Sequence, residues 1–146
     1  MPLKIEINNI AKSPVEKSLI KIAAIKALEK SEYDYLIKKN IFVSFALVGE
    51  EEMKKINKKY REKNRATDIL SFCEYEEVDL LKNITKKDLF LGELVLCYDY
   101  IKRECADEKD LRKELARIIA HGVLHLLCYE HSKKMFDIQN AVADSG

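Results

Sequence analysis

The sequence predicts an α+β domain, a small mixed β-sheet packed against helices, on three observations. Short β-favouring runs (3–9, 41–49, 67–75 and 91–99) are interspersed with longer segments of helical period. The 146 residues suit one domain spanning 1–146, and 47% hydrophobic residues supply a core for it. Only four glycines and two prolines occur, too few for an all-β chain with many tight turns.

The elements follow in order. LKIEINN (3–9) alternates apolar and polar residues, as a half-buried strand does. Ser13-Pro14 reads as a helix start, with Ser13 as N-cap and Pro14 at the first helical position. That helix should run to about Lys30, turning Leu19, Ile22, Ala23, Ile25 and Leu28 inward. IFVSFALVG (41–49) is almost wholly apolar, the pattern of a central strand buried on both faces, and Gly49 ends it. Residues 50–63 form a helix whose acidic first turn and basic later turns complement its dipole. TDILSFCEY (67–75) and LGELVLCYD (91–99) are two further strands, joined by a polar and mobile connection over 76–90. A short helix over 99–106 precedes a long one over 110–128, amphipathic at first and apolar almost all round towards its end. SKKMFDIQNAVA closes the chain as a last short helix.

Bulk properties narrow the function. Net charge is +1, so a nucleic-acid partner has to be met by local charge. The 35% charged residues are mostly a solvated surface. No apolar run approaches the roughly 18 residues of a membrane span, and the first ten residues lack a secretory core, so a cytoplasmic protein without membrane contact is expected. Cys73, Cys97, Cys105 and Cys128 show no C-x-x-C spacing and are expected to be free thiols.

All three histidines lie in HGVLHLLCYEH (121–131). His121 and His125 are one helical turn apart on one face, a spacing that lets two imidazoles hold one metal ion. His131, six residues on, would point away from them unless the helix ends in between. A reversal near Cys128–Glu130 would return it and complete a three-histidine site with an open fourth position. Cys128, three residues after His125, is a rival third ligand that needs no helix break. The peptidase motif H-E-x-x-H places a glutamate base after its first histidine; here that residue is Gly122.

The run H-G-x-L-H-L-x-x-Y-[DE]-H resembles the signature of the YbeY family of metal-dependent endoribonucleases. YREKNRATDILSF (60–72), LGELVLCYD and MFDIQ (135–139) are similar to further family segments, in family order. The resemblance implies a zincin-like fold, one divalent metal (zinc foremost) on His121, His125 and His131, and a catalytic role for Arg61. It implies cleavage of single-stranded ribosomal RNA in 3′-end maturation of the small-subunit RNA and in ribosome quality control, with the small ribosomal subunit and its assembly factors as partners. Three departures stand out: Cys128 replaces the family's usual glycine, Ala66 its usual proline, and the link from His131 to Met135 is short.

The chemistry can be assembled from these parts. A metal on neutral imidazoles is a Lewis acid, and Arg61 offers a fork for two phosphate oxygens. Glu130 and Glu93 are the candidate bases, and the attacking group is either a metal-bound water or the RNA 2′-hydroxyl. Residues 53–65 carry Lys54, Lys55, Lys58, Lys59, Lys63 and Arg65 besides Arg61; Lys63 and Arg65, next to the following strand, are the expected RNA contacts. Tyr60 and Phe72 could stack a base, although a core role is the expectation for both. The acidic EYEEVD (74–79) should point away from the RNA path. Two alternatives remain: another zincin-like metallohydrolase such as a peptidase, and a non-catalytic ribosome-associated module with a structural metal.

Overall fold

The computed structural model describes residues 3–105 and 107–145. In chain order the elements are β1 (Leu3–Asn9), α1 (Lys17–Lys30), a 3₁₀ helix (Asp34–Lys38), β2 (Asn40–Leu47), α2 (Glu50–Arg61), β3 (Ile69–Cys73), α3 (Val78–Lys82), β4 (Asp88–Leu96), α4 (Tyr98–Glu104), α5 (Glu108–Leu126) and α6 (Lys133–Asp144). The four strands form one mixed sheet in the order β1-β2-β4-β3. β1, β2 and β4 run parallel, and β3 pairs antiparallel with β4 at the edge. This is the expected α+β architecture, and its strand-to-helix order leaves β3 with one free edge.

Period-2 alternation places two apolar sets on opposite faces of the sheet. Ile41, Val43, Phe45, Leu47, Leu94 and Leu96 join α1, α5 and α6 in the main core. Val95 and Leu70 turn the other way, against Met53 of α2. β4 keeps its leucines on the main core through a bulge. Phe42 pairs with Phe90 but Val43 pairs with Gly92, so one extra residue, Leu91, enters β4 there. The bulge shifts the parity: Leu89 and Leu91, up to it, and Leu94 and Leu96, after it, all face inward. Gly92 has φ 140, and a Cβ there would lie 2.2 Å from the Phe72 carbonyl oxygen, so only glycine fits.

Several expectations are corrected. α1 starts at Lys17, and Ser13 caps nothing: the Asn9 side chain clasps it, accepting from the Ser13 N–H at 2.8 Å and donating to its carbonyl at 2.9 Å. Pro14 also disfavours a helical Ser13, so the chain stays non-helical until Glu16. Within α1 the buried face is Leu19, Ile20, Ala23, Ala24, Ala27 and Leu28, while Ile22 is exposed. β2 is central but not buried on both faces: on its second face Phe42 is exposed, and Ser44 and Ala46 are half-buried. The connection over 76–90 carries α3, which buries Leu81, and β4 begins within it, at Asp88. α4 ends at Glu104, and the expected last residue of that helix, Ala106, lies outside the described residues. Tyr60 is 54% exposed and is not a core residue, whereas Phe72 packs beside the Met53 cluster as expected. The four cysteines are free.

Candidate metal centre

α5 carries the site because it is two things in one helix. Asp107 caps its first turn by accepting from the Lys109 N–H at 3.0 Å. Further on, Ile119, Ala120, Leu124 and Leu126 are fully buried, which fixes the helix rotation. Rotation fixed in this way presents His121 and His125, one turn apart, along the edge of the core.

The helix then stops. Cys128 adopts the left-handed conformation, φ 68. The Tyr129 N–H donates to the Leu124 carbonyl and the Cys128 N–H to the His125 carbonyl, each at 3.0 Å, which is a Schellman C-cap built on cysteine. The reversal returns His131 to its two predecessors. Ser132 follows at once as the N-cap of α6, accepting from the Met135 N–H at 3.2 Å, so the short link suffices. Cys128 does not join the histidines: its thiol donates to the Tyr75 carbonyl at 3.1 Å. Burial pushes that thiol's pKa up, further from the thiolate a metal would need.

The three imidazoles meet through their Nε2 atoms. His125 Nε2 lies 3.0 Å from that of His121 and 3.1 Å from that of His131. Three neutral imidazoles each directing a lone pair at one point repel unless a cation sits between them. Ligands at about 2.0–2.1 Å from a tetrahedral zinc would stand about 3.3 Å apart, close to these separations. The donor set therefore fits a divalent metal, and the triad could hold one. The protonation states agree. Burial, reinforced by the neighbouring His121 and His131, pushes His125 down to about 4, and burial also lowers His121. Both are kept neutral, the form that binds metal.

Gln139, buried on α6, was not singled out in the sequence. Its Oε1 lies 2.7 Å from His121 Nδ1. As the amide oxygen accepts, Nδ1 carries the proton and Nε2 keeps the lone pair. The available signal was a lone amide on the apolar face Met135, Val142 and Ala143.

A cavity of about 510 Å³ opens over the triad between α5 and the edge strand β3. Arg61, at the end of α2, reaches into it. Its guanidinium donates to the Ser71 carbonyl at 2.8 Å and lies 5.2 Å from the centre of the Phe72 ring. Arg117 and Asp68 also line the cavity, as two residues the sequence reading passed over. Lys63 and Arg65 are exposed on the loop after α2 and are not among the lining residues. That loop is held by Asn57, which donates to the Arg65 carbonyl at 2.9 Å. Neither candidate base reaches the cavity: Glu93 accepts from the Ser44 hydroxyl at 3.2 Å, and Glu130 is exposed. Glu74, Glu76 and Glu77 of the acidic stretch are also absent from its walls.

Gly122 has a packing reason. A Cβ there would lie 2.7 Å from Ile69 Cδ1 and 3.0 Å from Leu94 Cδ2, so α5 touches the sheet at this point. The residue after His121 therefore faces the core, where a carboxylate would be buried and crowded.

Comparison with known proteins finds similarity along most of the chain. The family model described as Endoribonuclease YbeY matches residues 6–144. A protein of Buchnera aphidicola subsp. Schizaphis graminum named Endoribonuclease YbeY is 46% identical over 99 residues, 66% of this chain and 59% of the relative. One of the same name from Persephonella marina is 32% identical over 139 residues, covering 90% of this chain and 84% of the relative. Among solved structures, the solution structure of a Thermotoga maritima protein superposes with a TM-score of 0.62 at 27% identity, covering 97% of this chain and 87% of the other.

Proposed function

The chain belongs to the YbeY endoribonuclease family, and from that premise we propose that it is a metal-dependent endoribonuclease acting on single-stranded ribosomal RNA. The observation that carries the reading is the shared cavity: three converging imidazole nitrogens and the Arg61 guanidinium on its walls. His121, His125 and His131 are the ligands, and the metal is zinc, which suits three neutral imidazoles with an open position. Bound there, it supplies Lewis acidity to a phosphoryl oxygen or to a water.

The chain's own groups do the rest. Gln139 holds His121 in the ligating tautomer. Arg61 sits beside the triad with its fork braced on Ser71, and it binds the non-bridging phosphate oxygens and offsets the charge that builds on phosphorus. Lys63 and Arg65 meet the RNA outside the cavity and contribute affinity without touching the reacting atoms. The cellular task that follows is maturation of the 3′ end of small-subunit ribosomal RNA and ribosome quality control, in the cytoplasm, with the small subunit and its assembly factors as partners. Among the described residues no helix is long and apolar enough to cross a membrane.

A peptidase reading fares worse. Gly122 faces Ile69 and Leu94, so the glutamate base has no room. The free edge of β3, where an extended peptide would add as a further strand, has its Ser71 carbonyl taken by Arg61.

Metal analysis paired with cleavage of a single-stranded RNA tests the proposal on wild type, His125→Ala and Arg61→Ala. One metal per chain is expected in wild type and in Arg61→Ala, and none in His125→Ala. Arg61→Ala should cleave about 10²-fold or more slowly. Wild-type protein that cannot take up zinc, or that cleaves a peptide library and not RNA, overturns the reading.

A further inference from the structure

We infer that Arg117 is a second phosphate-binding residue of this site, holding the nucleotide next to the scissile one across the cavity from Arg61. The inference rests on the nuclease reading and deepens it by giving the RNA strand a direction across the site.

Arg117, His121 and His125 follow one another at four-residue intervals on α5, so they lie on one face in a row. Arg117 stands about 6 Å along the helix from His121 and about 12 Å from His125. β3 runs beside α5 in the same order: the Ser71 hydroxyl donates to the Gly122 carbonyl at 3.4 Å and the Cys73 thiol to the His125 carbonyl at 3.3 Å. Arg61, held on the Ser71 carbonyl, therefore stands further along α5 than Arg117. Arg61, Ser71, Cys73, Arg117, His121 and His125 all line the one cavity. The triad thus shares a groove walled by α5 and β3 with two guanidiniums, Arg117 a turn before it on α5 and Arg61 anchored on the β3 side.

Arg117 is also oriented for this role. Glu114, one turn earlier, grips it along one side, with Nε donating to Oε2 at 3.1 Å and Nη2 to Oε1. This bidentate grip engages one edge of the fork and leaves Nη1 without an acceptor among the described residues. The side chain is about one-third exposed. A surface ion pair at such exposure adds little stability, so stability alone is a weak reason for a cation on a cavity wall. A phosphate reaching Nη1 would gain a charge-assisted hydrogen bond with the guanidinium already fixed in place. Among the described residues Asp68 is the one carboxylate lining the cavity. Its Oδ1 accepts from the Ile69 N–H at 2.6 Å, an engagement that tempers its repulsion of RNA.

The test compares zinc-loaded wild type, Arg117→Gln and Arg117→Lys, with metal content measured on each. It reads single-stranded RNA binding across a salt series, together with kcat and KM. Arg117→Gln should raise Kd and KM about tenfold, hold kcat within about threefold, and lower the slope of log affinity against log salt by about 0.7, the signature of one lost phosphate contact. Arg117→Lys keeps the charge and should keep the slope. An unchanged slope in Arg117→Gln overturns the inference, as do equal losses in both variants or loss of metal in either. Failure of the wild type to bind and cleave RNA overturns the nuclease reading itself.

Discussion

At the scale of single residues, the site depends on which imidazole nitrogen carries its proton. Gln139 decides this for His121 by accepting at Nδ1, from a position 3% exposed on α6. Gln139→Leu keeps the volume and removes the acceptor. Metal affinity should fall by about 10–100-fold while the fold persists, as a competitive chelator titration and a circular dichroism melt would show. His125 carries a pH dependence. Burial holds its folded pKa at about 4, below the unfolded value of 6.5. Between those values the unfolded chain binds more protons, so its contribution to stability is present above pH 6.5 and is lost as pH falls towards 4. Chelator-treated protein should therefore show a urea midpoint that drops across that window, and His125→Leu should flatten the drop. Cys128 shows a cost accepted for geometry: a left-handed non-glycine residue costs about 1–2 kcal/mol, and the Schellman hydrogen bonds together with the thiol bond to Tyr75 hold it there.

At the scale of elements, α5 and β4 are fitted to each other by two glycines. Gly92 lets β4 bulge beneath Phe72, and Gly122 lets α5 come down onto Ile69 and Leu94. The helix that presents the histidines is thus seated closely on the sheet beside β3, the strand that forms the other wall of the cavity. Gly122→Ala puts a methyl 2.7 Å from Ile69 Cδ1. This should destabilise the protein by about 1–3 kcal/mol, measurable by urea denaturation, and displace α5 enough to weaken metal binding. The glycine-for-glutamate difference from the peptidase motif thus has a mechanical cause as well as a chemical consequence.

At the scale of the whole molecule, four elements and a turn furnish one site. α5 supplies two imidazoles, the turn after it the third, α6 the orienting amide, and α2 with β3 the arginine and its brace. A ligand that bridges distant parts of the chain stabilises the native state over the unfolded one. Zinc at a hundredfold excess over its Kd should add about 2.7 kcal/mol. Differential scanning calorimetry should show a higher Tm with zinc, and no rise in His125→Ala. A melt indifferent to zinc would contradict the metal assignment.

The pairing of His121 with His125 was legible in the sequence because helical period is a local property, and the chain has no other histidines to confuse it. So were the α+β class and most strands, since alternation and apolar runs are also local. The exposed Ile22, the one-sided burial of β2 and the helix start past Ser13 were not legible. Each depends on what lies opposite: the rotation of α1, the partial cover of the second face of the sheet or the clasp from Asn9. The choice between His131 and Cys128 could be posed from spacing but not resolved by it. The fold resolves the geometry by turning the chain at Cys128, which sends the thiol to Tyr75 and brings the third imidazole to the other two. Sequence alone thus determined which chemical groups are available and which two share a helix face. Only the tertiary structure decided which distant groups meet, because a turn, a glycine contact and a buried amide act across elements that no local pattern connects.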